Sequence, residues 1–79
     1  MNEYSIFIKK VLEEVNPYEE FDEDTELIES ELLDSLTIVF LVTQIEEKYN
    51  FTMDEQLVLP ENFTSIRKIA DLLEQVLGK

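Results

Sequence analysis

Asp34-Ser35-Leu36-Thr37-Ile38-Val39-Phe40-Leu41-Val42-Thr43-Gln44-Ile45-Glu46-Glu47-Lys48-Tyr49 is the stretch on which the fold turns. Its Ile38, Leu41, Val42, Ile45 and Tyr49 stand at offsets 0, 3, 4, 7 and 11, the apolar stripe of an α-helix. Asp34 is placed to cap that helix. At about 100° per residue, Leu36, Phe40, Thr43 and Glu47 fall on the side opposite the stripe, with Val39 at its edge. An apolar cluster on a water-facing side points to a partner surface. Coverage by the preceding loop, or scattered exposed apolar residues, would account for it equally simply.

Upstream, Tyr4, Ile8, Val11, Leu12 and Val15 repeat the helical spacing, with Asn2 as an N-terminal cap and Asn16 before Pro17 as the stop. From Pro17 to Leu33 the periodicity disappears and acids dominate, so this segment reads as a long loop anchored by Leu27, Ile28, Leu32 and Leu33. Downstream, Phe51 to Asn62 leaves room for a short helical turn near Asp54 to Leu57, stopped by Pro60. Thr64 or Ser65 then caps a last helix with Ile66, Ile69, Ala70, Leu73 and Leu77 on one face and Gly78 just past its end. No stretch alternates with period two. The expectation is an all-α, small four-helix bundle of three long helices and one short one, a single domain over residues 1–79.

The 79 residues carry 19 acids, six bases, no histidine and no cysteine, for a formal charge of -13. Disulfides, thiolate metal sites, imidazole bases and cysteine nucleophiles are thereby excluded. No apolar run approaches the ~20 residues of a membrane span, and the N-terminus lacks a secretory layout. We therefore expect a cytoplasmic, monomeric protein that repels nucleic acid and anionic lipid and meets proteins with basic faces. No paired carboxylates flank a recognisable cleft, so an enzyme is not expected. Asp22, Asp24 and Glu26 imitate the opening of a calcium loop, but Leu27 and Leu33 occupy the positions that need Gly and Glu; no metal site is expected.

Leu33-Asp34-Ser35-Leu36, opening a helix after an acidic loop about two-fifths of the way along an acidic chain, resembles the modification site of acyl and peptidyl carrier proteins. The resemblance runs through Ile45-Glu46-Glu47-Lys48-Tyr49, a short third element and a final helix from Ser65. It implies a carrier whose Ser35 receives 4'-phosphopantetheine from coenzyme A and whose cargo rides as a thioester on that arm. By the same resemblance, Asp34 helps a phosphopantetheinyl transferase hold magnesium and orient Ser35, and Leu36 docks on partners. Val39, Phe40 and Thr43 join it as candidate partner residues from their place on the outer helix face. Glu46 and Glu47 resemble the acids that greet basic partner surfaces, and read equally well as a solvated helix face. The missing cysteine agrees with a thiol imported on the arm.

Two departures stand out. Many members carry glycine shortly before the Asp-Ser pair, whereas Ser30-Glu31-Leu32-Leu33 has none. Housekeeping fatty-acid carriers place acids in the first two turns of this helix, where Thr37, Ile38, Val39 and Phe40 are uncharged. This inclines the expectation toward a dedicated carrier, loaded by an adenylating ligase or acyltransferase and serving a downstream synthase or transferase. A general fatty-acid carrier is the alternative. From another class, an unmodified acidic adaptor would use the Leu36, Val39 and Phe40 face without Ser35.

Overall fold

The computed structural model describes residues 2–78. Helix α1 spans Glu3–Val15, α2 Ser35–Tyr49 and α3 Ile66–Leu77. Each start is capped by the side chain its sequence offers. Asn2 Oδ1 accepts the Ser5 amide at 2.8 Å, Asp34 Oδ1 the Thr37 amide at 2.9 Å, and Ser65 Oγ the Lys68 amide at 3.1 Å. Ser65, not Thr64, is thus the cap of α3. Ser5 is buried, and its hydroxyl donates to the same Asn2 oxygen at 3.0 Å, so no polar cost is left in the core there.

The short fourth helix is not formed as expected. Glu55–Leu57 and Pro60–Asn62 are two separate three-residue 3-10 turns. Pro60 does not stop a helix; it opens the second turn at its first position, where a missing N–H costs nothing and the fixed φ is already correct. Among the described residues the bundle therefore has three α-helices, with tight turns in place of a fourth. Among the described residues there is no strand.

α1 packs mainly on α3 and less on α2. Ile8 and Leu12 of α1, Leu41 and Ile45 of α2, and Ile66, Ile69 and Leu73 of α3 are each fully buried. Val15, expected on the same stripe as Ile8, is 39 % exposed, because the last residue of α1 overshoots the packed part of the helix. Tyr49 closes one end of the bundle, its ring edge-on to Tyr4 at 5.3 Å and to Phe7 at 6.0 Å between centroids.

The long acidic loop earns its order through backbone and anchors rather than periodicity. Leu27, Leu32 and Leu33 are buried, and Ile28 packs against the same core from a half-buried position. The Leu27 amide donates to Thr64 O at 2.7 Å and the Arg67 amide to Glu23 O at 3.0 Å, tying the loop to the start of α3. Arg67 also clasps Asp24 through Nε at 2.7 Å and Nη2 at 3.1 Å. That hydrogen bond holds the Asp24 carboxyl below its ordinary range. The Asn16 side chain donates to Leu12 O and Leu32 O, joining the end of α1 to the loop.

Glu31 adopts the left-handed conformation, φ 64°. The missing glycine before the Asp-Ser pair thus has a structural consequence: a side chain occupies backbone geometry that glycine takes freely. Glu31→Gly is expected to be more stable to urea than Glu31→Gln, by up to about 1 kcal/mol, because the glutamine keeps the backbone cost while removing the same charge. Glu31→Val should fall below both, since a β-branched residue tolerates this region least. Equal midpoints for all three would show that the turn is not strained.

Candidate functional site

The first turn of α2 gathers the chemistry. Asp34 accepts two hydrogen bonds from Thr37, from the amide and from Oγ1, both at 2.9 Å. These bonds, the amide's first, hold its carboxyl below the ordinary 3.8. Ser35 is the first residue of the helix and exposed. A helix N-terminus favours negative charge through its free amides and its dipole. The side chain of Asp34 already takes one of those amides, leaving the serine hydroxyl clear of the cap.

Asp34→Ala should lower the melting temperature by removing that cap, while Asp34→Ser keeps most of it. A carboxylate whose folded pKa lies below its unfolded value contributes stability that is complete above the unfolded value and is lost as pH falls through the folded one. The gap between wild type and Asp34→Ala should therefore hold at neutral pH and close below about pH 4. A gap that stays constant across the whole acid range would mean that the charge of Asp34 has no part in it.

Beside Ser35 lies a cleft of about 570 Å³. Its apolar wall comes from Ile28 and Leu33 of the loop, Ile38 and Val39 of α2, and Val58 and Pro60 of the 3-10 turns, with Glu31, Asp34 and Ser35 at the polar edge. Three non-adjacent segments converge here, which is why the sequence alone did not reveal it. Among the described residues no basic side chain lines it.

On the outer side of α2, Leu36 is 82 %, Val39 58 % and Phe40 44 % exposed, as the helical wheel predicts. The loop does not fold over them. Leu59, between the two 3-10 turns and unremarked in the sequence, adds a further exposed apolar side chain. Thr43 is exposed, but its hydroxyl donates to Val39 O at 2.9 Å. The two acids near the end of α2 separate. Glu47 is exposed, whereas Glu46 is half-buried and its Oε2 accepts the Met53 amide at 2.8 Å, fastening the chain that leaves the helix. Both lie about 17 Å or more along α2 from Ser35.

The loop acids form no cation cage. Asp22 Oδ1 accepts the Asp24 amide and the Thr25 hydroxyl in a local turn, and Asp24 faces Arg67. Among the described residues no group of three or more acids is arranged to hold a metal ion. Nor is any helix among them long and apolar enough to cross a membrane.

Neither the curated proteins nor the solved structures include a significant match to the chain. The family model described as the phosphopantetheine attachment site matches residues 7–73 of the 79. Its domains carry the covalent 4'-phosphopantetheine group, are non-catalytic, and work with phosphopantetheinyl transferases and partner enzymes. An all-helical fold, an exposed serine at a helix start and a match over most of the sequence agree, and the chain belongs to the phosphopantetheine attachment site family of carrier domains.

Proposed function

We propose that Ser35 is the attachment residue, and that the chain presents an acyl or aminoacyl group to partner enzymes in a dedicated biosynthetic pathway in the cytoplasm. The observation that carries this reading is the exposed Ser35 at the capped start of α2, set between an open cleft and an exposed apolar face. The site suits the prosthetic group: an exposed hydroxyl, free helix amides for the phosphodiester and an apolar groove within reach. When bound, the arm supplies the thiol on which the cargo is held as a thioester.

Each remaining role belongs to this chain. Asp34, fixed by Thr37 and ionised, stands next to Ser35 as a preset carboxylate for the magnesium ion of a transferase. Leu36, Val39 and Phe40 offer apolar docking area, with Thr43 on the same side and Glu47 as the free acid toward basic partners. Glu46 serves more as a clip on Met53 than as a partner contact. The uncharged first turns of α2 support an apolar mode of recognition, and with it loading by a dedicated adenylating ligase. A fatty-acyl cargo is the second reading, favoured by the apolar wall of the cleft.

The test is intact-mass spectrometry of the protein incubated with coenzyme A, magnesium and a broad-specificity phosphopantetheinyl transferase, followed by exposure of the holo form to amino-acid and fatty-acid ligases. One phosphopantetheine adduct is expected, then a second mass step with the aminoacyl group. No adduct on folded protein with several transferases would favour the unmodified adaptor. Loading by fatty acids alone would favour the second reading.

A further inference from the structure

At the other end of α2 from Ser35 a second groove, of about 420 Å³, lies between α1 and α2. Glu3, Ile6, Phe7, Lys10, Lys48 and Tyr49 line it. Ile6 is 57 % exposed, an apolar side chain of α1 turned away from the core. Phe7 and Tyr49 form an aromatic floor, and the Lys48 ammonium sits 5.7 Å from the Phe7 ring centroid, within cation–π range. The lining of the groove is richer in cations than the molecule as a whole. Two lysines face one carboxylate here, on a chain with 19 acids and six bases. Among the described residues neither Lys10 nor Lys48 takes part in a salt bridge, whereas Lys9 next to them is paired with Glu13 at 3.7 Å.

We propose that this groove is a second docking surface, which holds a protein segment presenting a protruding apolar side chain flanked by carboxylates. Its chemistry is the reverse of the basic partners expected at the Ser35 end. The shallow, aromatic-floored depression takes a single protruding side chain, whereas insertion into a bilayer needs a whole apolar face. Ile6 is the one strongly exposed apolar side chain among the described residues lining it. A flat anionic membrane would also feel the whole charge of -13, while a short segment senses charges only within about a Debye length, ~8 Å at physiological salt. A second copy fits the local chemistry, since Tyr18 is 95 % exposed and is followed by Glu19 and Glu20. However, two whole bodies of charge -13 repel each other over their surfaces. The segment of a different protein is the remaining occupant. Docking there leaves Ser35, about 20 Å away along α2, free for its own partners.

The probe is a short fluorescent helical peptide with leucines along one face and glutamates on both flanks, compared with the same peptide flanked by lysines. The acidic peptide is expected to bind more tightly, with amide shifts concentrated at Ile6, Phe7, Lys10 and Lys48. Lys10→Glu combined with Lys48→Glu should weaken it by about tenfold. Far-UV circular dichroism and the rate of phosphopantetheine uptake should remain unchanged in that variant, which separates docking from the carrier role. The proposal is overturned by any of three results. These are equal binding of the two peptides, affinity within about twofold after the double reversal, or a preference of the groove for phosphatidylglycerol vesicles or for self-association over the acidic peptide.

Discussion

Ser35→Ala is expected to keep its fold and to take up no phosphopantetheine at all. The substitution removes one exposed oxygen at the first position of α2, where the cap is supplied by Asp34 and does not involve the serine side chain. Its effect on stability should therefore stay within about 0.5 kcal/mol. The chemical effect is complete because no other serine can substitute. Ser5 is buried against Asn2, the Ser30 hydroxyl donates to Leu27 O inside a turn, and Ser65 Oγ accepts the Lys68 amide as the cap of α3. The chain has no cysteine to form an adventitious adduct. A transferase assay read by intact mass decides it, with the melting curve as the control for folding. An adduct that survives in the folded variant would remove Ser35 from its proposed role and with it the carrier function assigned to this turn.

The same experiment separates the two faces of α2. Leu36 is the most exposed apolar residue of that helix and adjoins Ser35, so Leu36→Asp should slow the transferase while leaving the melting temperature nearly unchanged. A residue that mattered to packing would show the opposite pattern.

How far the sequence reaches can be judged element by element. The three α-helices were legible because each buries one stripe, and a stripe of period 3.6 survives in the residue order without knowledge of the neighbours. The caps Asn2 and Asp34 were legible for the same local reason, since each satisfies an amide three residues ahead; at α3 the sequence leaves Thr64 and Ser65 open, and Ser65 does the same. Leu27, Leu32 and Leu33 could be named as loop anchors, because buried leucines in an acidic segment need a core to enter. What they anchor to was not legible. The Leu27 amide reaches Thr64 and Arg67 reaches Asp24 across the chain, and nothing in the spacing marks such pairs.

The site divides likewise. The exposed Leu36, Val39 and Phe40 follow from the helical wheel and Asp34 from its capping position, whereas Ser35 is singled out only by the resemblance of Leu33-Asp34-Ser35-Leu36 to a family motif. Glu46 and Glu47, adjacent and chemically alike, could not be told apart, since only the return of the chain at Met53 engages one of them. The cleft walls Val58 and Pro60 lie in 3-10 turns too short to show periodicity. Gly78 illustrates the converse. It stands where a left-handed helix end would use it, yet its φ is -81°, and the left-handed cap is at Asn50 of α2, φ 55°.

Phe63→Ala is expected to remove most of the stability of the domain. Phe63 is the largest fully buried side chain, yet it lies outside every helix and belongs to no periodic stripe, so the sequence gives no warning of its weight. It follows the second 3-10 turn, where its amide donates to Pro60 O at 2.9 Å, and it precedes the cap of α3 by two residues. Truncating a buried phenylalanine costs about 3–5 kcal/mol, from lost transfer energy and the cavity left behind. A chain of 79 residues holds about 4–12 kcal/mol in total, and small domains with a low buried fraction sit toward the lower end. The loss is therefore comparable to the whole. Urea unfolding should show a collapsed midpoint for Phe63→Ala, while Tyr18→Ala, at a side chain 95 % exposed, should match the wild type. Phosphopantetheine uptake should then fall in step with the folded fraction, because the turn carrying Pro60 walls the cleft beside Ser35 and ends at Phe63. A loss smaller than about 1 kcal/mol would mean that the core closes over the gap, and that the 3-10 segment is held by its backbone bonds rather than by this ring.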